Sequence, residues 1–175
     1  MNHQNHVALI KDGIVGGTWA DLGAGTGAFT LALADCLGGQ GTIYAVDQDK
    51  HALDQQKRVM QEQFPDMDVH YVVSDFARKI NFPPLDGVVM ANSLHFQREK
   101  NAVLQLVRSY LKPNGRLVIV EYNADKGNMW VPYPFSYGTW EKMATQNGFK
   151  ETQHLSSYPS RFLNEIYSAL SLYAV

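Results

Sequence analysis

Three glycines and one distant aspartate form the first pattern in this chain that is suited to bind a ligand. Gly23, Gly25 and Gly27 stand at alternate positions in the segment Ala-Asp-Leu-Gly-Ala-Gly-Thr-Gly. A backbone without Cβ atoms can approach a ligand closely at such positions. Asp47 follows Gly27 by 20 residues, close to the separation at which nucleotide-binding folds place an acidic residue on a ribose diol. The pattern predicts a site for a ligand with a nucleoside part.

The glycine pattern also leaves a second ligand open. With Ala28 as its last residue it satisfies the dinucleotide fingerprint, so an NAD(P)-dependent oxidoreductase is the alternative function. Tyr122 and Lys126 have the spacing of a reductase Tyr/Lys pair. That chemistry requires both side chains one turn apart on a helix, whereas we expect a strand end and a loop here, so we regard the match as chance. A helix cap is the structural alternative for Asp47, but Asp49 is better placed for that role.

Candidates for acid–base chemistry follow two later apolar runs. His95 lies in the segment Asn-Ser-Leu-His-Phe, and Glu121 and Tyr122 end another run. A histidine titrates near neutral pH and can remove a proton from an acceptor. His95 is therefore the candidate catalytic residue, with an ordinary loop histidine as the alternative. We predict no metal site.

The stretch from 123 to 136 is the longest irregular segment that we expect, and loops of this length in compact domains are commonly functional. It contains Trp130 and Tyr133, together with two prolines and one phenylalanine. Rigid aromatic and proline residues build apolar pockets with little loss of conformational entropy. We expect Trp130 and Tyr133 to line the acceptor site, and a crossover that merely covers the sheet is the alternative.

An alternation of short β-type runs with helical patterns supplies the scaffold for these residues. This order builds a parallel sheet with helices on both faces, and the connection between the last two runs is too short for a crossover helix. We predict an α/β fold with a doubly wound, mostly parallel seven-stranded sheet and a C-terminal antiparallel hairpin at its edge. Ligands bind at the carboxyl ends of parallel strands, so the candidates should converge on one cleft. The predicted strands are 18–22, 42–46, 69–73, 86–91, 116–122, 151–158 and 166–174.

The composition is that of one ordinary globular domain. We assign 1–175 to a single domain, in which 1–13 form a short segment before the first strand. Hydrophobic residues make up 45% and charged residues 18% of the chain, which argues against a disordered chain. The formal net charge of -2, without a dense run of Lys and Arg, disfavours nucleic acid as a partner. The polar amino terminus and the lack of a membrane-length apolar stretch predict a cytoplasmic location.

Several segments together resemble the class I S-adenosylmethionine-dependent methyltransferases, over roughly residues 14 to 175. Asp21–Gly27 is similar to the acidic, triple-glycine first motif of that family, and Asp47 matches its ribose-binding acidic residue. Ser74–Phe76 looks like its adenine-recognition segment. Leu85–Asn92 and Leu111–Val118 resemble the signatures of its fourth and fifth strands. The resemblance implies a Rossmann-like methyltransferase fold and S-adenosylmethionine as cofactor.

The resemblance also implies a role for each part of the cofactor site. Asp21 would favour the methionyl ammonium group, with bracing of the glycine turn as its structural alternative. Asp75 would accept a hydrogen bond from the adenine amino group, and the Phe76 N–H would donate to the ring edge. The structural alternatives are a turn-forming role for Asp75 and a core position for Phe76. Asn92 would line the methionyl end. The predicted cofactor-binding residues are Asp21, Gly23, Ala24, Gly25, Gly27, Asp47, Gln48, Asp75, Phe76 and Asn92.

Methyl transfer from a sulfonium is an in-line displacement with an excellent leaving group, so positioning can supply much of the rate. We predict that the chain methylates a small-molecule acceptor, and a protein acceptor is the alternative. A binding module of this fold without turnover is a further alternative function. Many relatives carry a longer segment before the first strand as a lid. The short segment here predicts either an open acceptor site or one completed by a second subunit, and the oligomeric state stays open.

Overall fold

The helices and strands of residues 1–173 follow one another in the order that the sequence patterns predict, with one additional helix near the amino terminus. The computed structural model describes residues 1–173, so Ala174, at the end of the last predicted strand, lies outside the described residues. The elements are α1 (His3–Ile10), β1 (Thr18–Leu22), α2 (Ala28–Cys36), β2 (Thr42–Asp47), α3 (Lys50–Gln63), β3 (Asp68–Val73), β4 (Leu85–Ala91), α4 (Lys100–Tyr110), β5 (Leu111–Tyr122), α5 (Tyr137–Gln146), β6 (Phe149–Pro159) and β7 (Glu165–Tyr173).

All seven strands belong to one sheet, whose order is β3-β2-β1-β4-β5-β7-β6. The first five strands are mutually parallel, and β7 runs antiparallel to both β5 and β6. The chain winds outward from β1 in one direction and from β4 in the other, so a crevice opens between the carboxyl ends of these two strands. The predicted α/β fold, with its mostly parallel seven-stranded sheet and terminal antiparallel hairpin, is confirmed.

Helices cover both faces of the sheet, because side chains alternate between its two faces. Trp19 packs with α1 and α2 in one hydrophobic cluster, whereas its neighbour Ala20 packs with α4 and α5 in another. Val118 and Ile119 of β5 divide in the same way. A central strand buried on both faces reads as a nearly continuous apolar run, which explains why β4 was recognisable from the sequence.

The start of β5 differs from the prediction, which began this strand at residue 116. In the structure β5 begins at Leu111, and its register against β4 shifts between the pairs Leu85–Leu111 and Gly87–Arg116. Asn114 has a left-handed φ of 61°. The Pro-Asn-Gly sequence therefore forms a bulge-like irregularity within β5 and does not end the strand, because β4 pairs with residues on both sides of it.

The segment 1–13 contains helix α1, which the sequence analysis did not predict. Asn2 caps this helix, since its side-chain oxygen accepts a hydrogen bond from the Asn5 N–H at 3.0 Å. Leu9 and Ile10 are buried against α2. An isolated eight-residue helix is unstable in water, so packing rather than local propensity stabilises α1. No helix within residues 1–173 has the length and apolar character needed to cross a membrane.

We predict that Gly87→Ala destabilises the fold, because the sheet packs tightly at this glycine. A Cβ atom at Gly87 would lie 2.3 Å from the fully buried ring of Trp19. Overpacking of this kind typically costs about 1–3 kcal/mol in the free energy of unfolding. Urea denaturation should show the loss. Gly16→Ala is the matched control, because no described atom lies within 4 Å of its Cβ position, and equal stability of the two variants would contradict the prediction.

Candidate functional site

The glycine turn after β1 is fixed to the end of β2. The N–H groups of Gly23 and Ala24 both donate to the Val46 carbonyl oxygen at 2.9 Å. Gly23, Gly25 and Gly27 have φ values of 83°, 53° and 95°, a left-handed region that side chains with a Cβ rarely adopt. The turn thus carries its backbone across the carboxyl edge of the sheet, where the sequence analysis expected the ligand.

The three glycines are needed for different reasons. A Cβ atom at Gly23 would lie 2.5 Å from the Ser93 side chain, and one at Gly27 would lie 2.4 Å from the Gln56 side chain. These two glycines therefore permit packing inside the protein. At Gly25, in contrast, no described atom lies within 4 Å of the Cβ position. Gly25 is the glycine that faces open space and can bring backbone close to a ligand.

Asp47 lies beside this turn, at the end of β2. Its Oδ2 accepts a hydrogen bond from the Gly25 N–H at 2.8 Å, and its Oδ1 accepts one from the Asp49 N–H at 2.9 Å. Asp49 in turn caps α3 by accepting from the N–H groups of His51 and Ala52. The capping role thus belongs to Asp49. A carboxylate has about four acceptor sites, so Asp47 retains capacity for two ribose hydroxyls.

An open cleft of about 390 Å³ lies next to Asp47 and is lined by Gln48, Val73, Ser74, Asp75 and Arg78. The Asp75 Oδ1 accepts from the Ala77 N–H at 2.8 Å, which makes the local turn expected of a strand-end aspartate. Its Oδ2 lies 4.0 Å from the Arg78 Nε. This oxygen remains able to accept from an amino group, so the cleft fits the adenine part of the cofactor.

The side chain of Phe76 lies in the core, which is the structural alternative that the sequence left open for this residue. The ring is 8% exposed and belongs to the hydrophobic cluster between the sheet and α4. Its backbone N–H makes no hydrogen bond to residues 1–173. Only the backbone of Phe76 is therefore free to bind a ligand.

Asp21 is buried beneath the glycine turn. Its side chain is 1% exposed, and its Oδ2 accepts a hydrogen bond from the Thr30 hydroxyl at 2.6 Å. Burial raises the pKa of Asp21 to about 7, the Thr30 hydrogen bond opposes the rise, and the nearby Asp47 charge adds to it. Asp21 thus braces the turn against α2. Its pKa lies near neutral pH, so its carboxyl group can gain or lose a proton in that range.

The segment after β4 borders the other side of the glycine turn. The Ser93 hydroxyl donates to the Leu22 carbonyl oxygen at 2.8 Å, and the Asn92 N–H donates to the Val120 carbonyl oxygen at 2.8 Å. Asn92 has a left-handed φ of 52°. Its Oδ1 is buried and has no hydrogen-bond partner among residues 1–173. An orphaned acceptor at this position fits the ammonium group of a methionyl moiety.

His95 and Glu121 form a buried pair, although the sequence analysis proposed them as separate candidates. The His95 Nδ1 lies 2.8 Å from the Glu121 Oε2, and the His95 backbone N–H donates to the Glu121 Oε1 at 3.1 Å. The two side chains are 3% and 0% exposed. A carboxylate can only accept, so it fixes the tautomer in which Nδ1 carries the proton and Nε2 is a free base.

Aromatic rings surround this pair. The His95 ring lies 4.3 Å from the Phe96 ring and 5.6 Å from the Tyr122 ring, measured between centroids. The Tyr133 N–H donates to the His95 carbonyl oxygen at 3.1 Å, so the predicted aromatic loop does reach His95. Tyr133 is 43% and Trp130 is 69% exposed. The loop therefore brings Tyr133 to the candidate base and leaves Trp130 largely open to solvent.

A cavity of about 470 Å³ lies at the same edge of the sheet, and the sequence analysis missed most of its walls. Besides Asn92 and Tyr122, the connection between β6 and β7 forms much of its lining. A topological signal was available, because the predicted antiparallel hairpin returns its tip to the edge where the parallel strands end. The lining residues are Met1, Asn92, Tyr122, Tyr158, Pro159, Ser160, Arg161, Phe162 and Ile166.

We predict that Asp47→Ala weakens the binding of S-adenosylmethionine by at least about tenfold, because each lost charge-assisted hydrogen bond to ribose contributes roughly 1.5–3 kcal/mol. Titration calorimetry on the folded variant measures this. Asp68→Ala is the matched control, since it removes an equal charge from an exposed residue at the opposite edge of the sheet. Unchanged affinity in Asp47→Ala would exclude this residue from the site.

We predict that cofactor binding releases protons from Asp21 below about pH 7. A bound ammonium and sulfonium favour the charged carboxylate, so affinity should rise with pH up to about 7 and then level off. In the free protein the raised pKa has the opposite consequence. The folded state holds the proton more tightly than the unfolded state, so stability is greatest at acidic pH and falls as pH rises through about 7.

Asp21→Asn tests both halves of this prediction, because the amide can still accept from Thr30 but cannot ionise. The variant should lose the fall in stability between about pH 4 and 7, measured by urea denaturation, and should bind the cofactor without proton release. Calorimetry in buffers of different ionisation enthalpy counts the protons released. Equal proton release by both proteins at pH 6 would contradict the assignment to Asp21.

Comparison with known proteins identifies the family to which this chain is similar. Residues 15–169 match the model of the family described as "Methyltransferase domain". The ubiquinone/menaquinone biosynthesis C-methyltransferase UbiE of Burkholderia mallei is 30% identical over 155 residues, which cover 86% of this chain and 59% of that protein. The reducing polyketide synthase grgA of a Penicillium species is 28% identical over 168 residues, which cover 81% of this chain and 7% of that protein. The chain therefore spans only part of the length of these relatives.

Solved structures agree in fold. The magnesium protoporphyrin IX methyltransferase ChlM of Synechocystis PCC 6803, solved with bound S-adenosylmethionine, has a TM-score of 0.73 at 20% identity and covers 98% of this chain and 79% of its own. The CurJ carbon methyltransferase has a TM-score of 0.74 at 19% identity and covers 90% of this chain and 48% of its own. The comparisons favour S-adenosylmethionine over the nicotinamide alternative.

Three observations now agree. The sheet order places a crevice between β1 and β4, the glycine turn and Asp47 border it, and the family match extends over nearly the whole described chain. The cofactor predicted from the family resemblance is also the one bound in the solved structure of ChlM. The chain belongs to the family described as "Methyltransferase domain".

Proposed function

We propose that this chain transfers the methyl group of S-adenosylmethionine to a carbon atom of a small acceptor, and that His95 removes the proton from that carbon. The buried pair of His95 and Glu121 is the observation that carries the proposal. Taking a carboxylate fully out of water is costly unless it is paired and hydrogen-bonded. Glu121 satisfies this requirement by accepting twice from His95, at the carboxyl edge of the sheet. Such an arrangement serves to orient a base.

The chemistry follows from the tautomer that Glu121 fixes. S-adenosylmethionine supplies an electrophilic methyl group on a sulfonium. His95 accepts the proton of the acceptor C–H bond at Nε2, and the electron pair of that bond forms the new carbon–carbon bond to the methyl group. Glu121 stabilises the resulting imidazolium, as a carboxylate does behind the histidine of a catalytic triad. The sulfur leaves with the electrons of the broken methyl–sulfur bond.

A carbon acceptor needs such a base more than an amine does, because a C–H bond offers no lone pair for attack. The printed names of two similar proteins support this choice: UbiE is a C-methyltransferase, and CurJ is a carbon methyltransferase. The cavity of about 470 Å³ beside Tyr122 has the size of a small-molecule site. This favours a small acceptor over the protein acceptor raised as the alternative.

Access to the base requires a movement of aromatic side chains. His95 is 3% exposed, and the rings of Phe96 and Tyr122 lie against it. Phe96 is 58% exposed, so few protein contacts hold its ring in place. We expect the acceptor to displace this ring and to take its position next to Nε2, because hydrogen bonds of a catalytic base commonly complete only in the substrate complex.

We predict that Glu121→Gln lowers kcat by about 10²–10⁴-fold while cofactor affinity stays the same, because the amide favours the wrong tautomer of His95. The assay uses S-[methyl-¹³C]adenosylmethionine and ethyl benzoylacetate, a small neutral molecule with an activated methylene group. Nuclear magnetic resonance of the product distinguishes a methyl group on carbon from one on oxygen.

Glu62→Gln is the matched control, since Glu62 lies exposed on α3 and away from the cleft. It should leave both kcat and cofactor affinity unchanged. Circular dichroism and thermal unfolding must show that Glu121→Gln remains folded. The proposal fails if the folded Glu121→Gln variant retains full kcat, or if the methyl group is found on the enol oxygen.

A further inference from the structure

We infer that the tip of the β6–β7 hairpin is the acceptor-recognition subsite of this enzyme, and that Arg161 binds a carboxylate of the acceptor. This inference rests on the proposed function and adds the substrate class: a carbon acid that carries an apolar or aromatic part and a negative charge.

The register of the sheet places the hairpin tip beside the end of β5. Tyr122 pairs with Ile166 across β5 and β7, and Pro159 pairs with Glu165 across β6 and β7. Residues 160–164 therefore project past the carboxyl edge of the sheet. A hydrogen bond closes the tip, because the Ser160 N–H donates to the Asn164 carbonyl oxygen at 2.8 Å.

Aromatic rings connect the hairpin tip to the candidate base. The Phe162 ring packs edge-to-face on Tyr122 at 6.4 Å, and Tyr122 packs edge-to-face on His95 at 5.6 Å, measured between centroids. Phe162 is 60% exposed, although it is a large apolar residue next to a cavity. An apolar or aromatic acceptor would bury this ring and gain the hydrophobic stabilisation that the free protein lacks.

Arg161 is the only charged side chain that lines this cavity. No carboxylate of residues 1–173 lies within 4.0 Å of its guanidinium group, since the ion pairs of the described chain involve other residues. A guanidinium group matches a carboxylate with two parallel hydrogen bonds. The cavity thus combines an aromatic wall with a guanidinium group that is available to a ligand.

Two carboxylates could meet Arg161, one on the acceptor and one on the methionyl part of the cofactor. The second would make Arg161 a cofactor residue. Asn92, which is assigned to the methionyl end of the cofactor, also lines this cavity, so the two sites adjoin. Arg161 itself lies on the hairpin beyond β5, whereas the cofactor crevice lies between β1 and β4, and this position favours the acceptor. The two assignments of Arg161 can be separated with S-adenosylhomocysteine, which carries the methionyl carboxylate but no acceptor. Loss of Arg161 lowers the affinity for this molecule only if the residue binds the cofactor.

The test compares Arg161→Gln with wild type in calorimetric binding, with the protein saturated by S-adenosylhomocysteine. The probes are benzoylacetate, which has an aromatic ring, an activated methylene group and a carboxylate, and its neutral ethyl ester. We expect Arg161→Gln to lower the affinity for benzoylacetate by about tenfold and the affinity for the ester by less than about twofold, because only the anion loses a charge-assisted contact. Arg98→Gln is the matched control, since Arg98 is exposed and does not line the cavity.

The outcomes separate this inference from the proposed function. Equal affinity of benzoylacetate for wild type and Arg161→Gln, or no binding to wild type, overturns the inference. So does a loss of S-adenosylhomocysteine affinity in Arg161→Gln, which assigns the residue to the cofactor. If binding follows the prediction but wild type transfers no methyl group to the carbon of benzoylacetate, the carbon-acceptor proposal fails and the carboxylate subsite stands.

Discussion

The attachment of the glycine turn to the end of β2 is the interaction on which the rest of the site depends. Three successive N–H groups, from Gly23 to Gly25, donate to the carbonyl of Val46 and the carboxylate of Asp47. These bonds hold the turn open over the sheet edge before any ligand arrives. The cofactor therefore meets a preformed cradle, and little of its binding energy is needed to order the protein.

Two buried carboxylates divide the chemistry of the cleft between them. Asp21 has one hydroxyl donor and a pKa raised to about 7, so it can respond to a cation placed near it. Glu121 accepts two N–H groups from a single residue, His95, and so holds that residue in one orientation and one tautomer. The first suits the binding of a positively charged cofactor, and the second suits the removal of a proton.

The acceptor side is built differently from the cofactor side. Backbone groups and short polar side chains border the cofactor crevice, whereas the aromatic side chains of Tyr122, Tyr158 and Phe162 border the cavity beyond β5. Phe96, Tyr133 and Phe162 leave apolar surface in water that the protein itself does not cover. An acceptor that covers this surface gains affinity from hydrophobic burial, and the proposed carboxylate subsite at Arg161 adds selection by charge.

The sequence by itself predicted the order of the elements along the chain, the glycine turn and the position of Asp47, because these depend on local turn chemistry and on short spacings within one β-α-β unit, whereas the resemblance to a family implied the cofactor. It did not predict α1 or the irregular start of β5, since packing and continued strand pairing decide both. Only the tertiary structure joined His95 to Glu121, 26 residues apart, and moved much of the acceptor cavity from the 123–136 loop to the β6–β7 tip. These contacts arise where different strands end at a common edge, and no local pattern encodes that meeting.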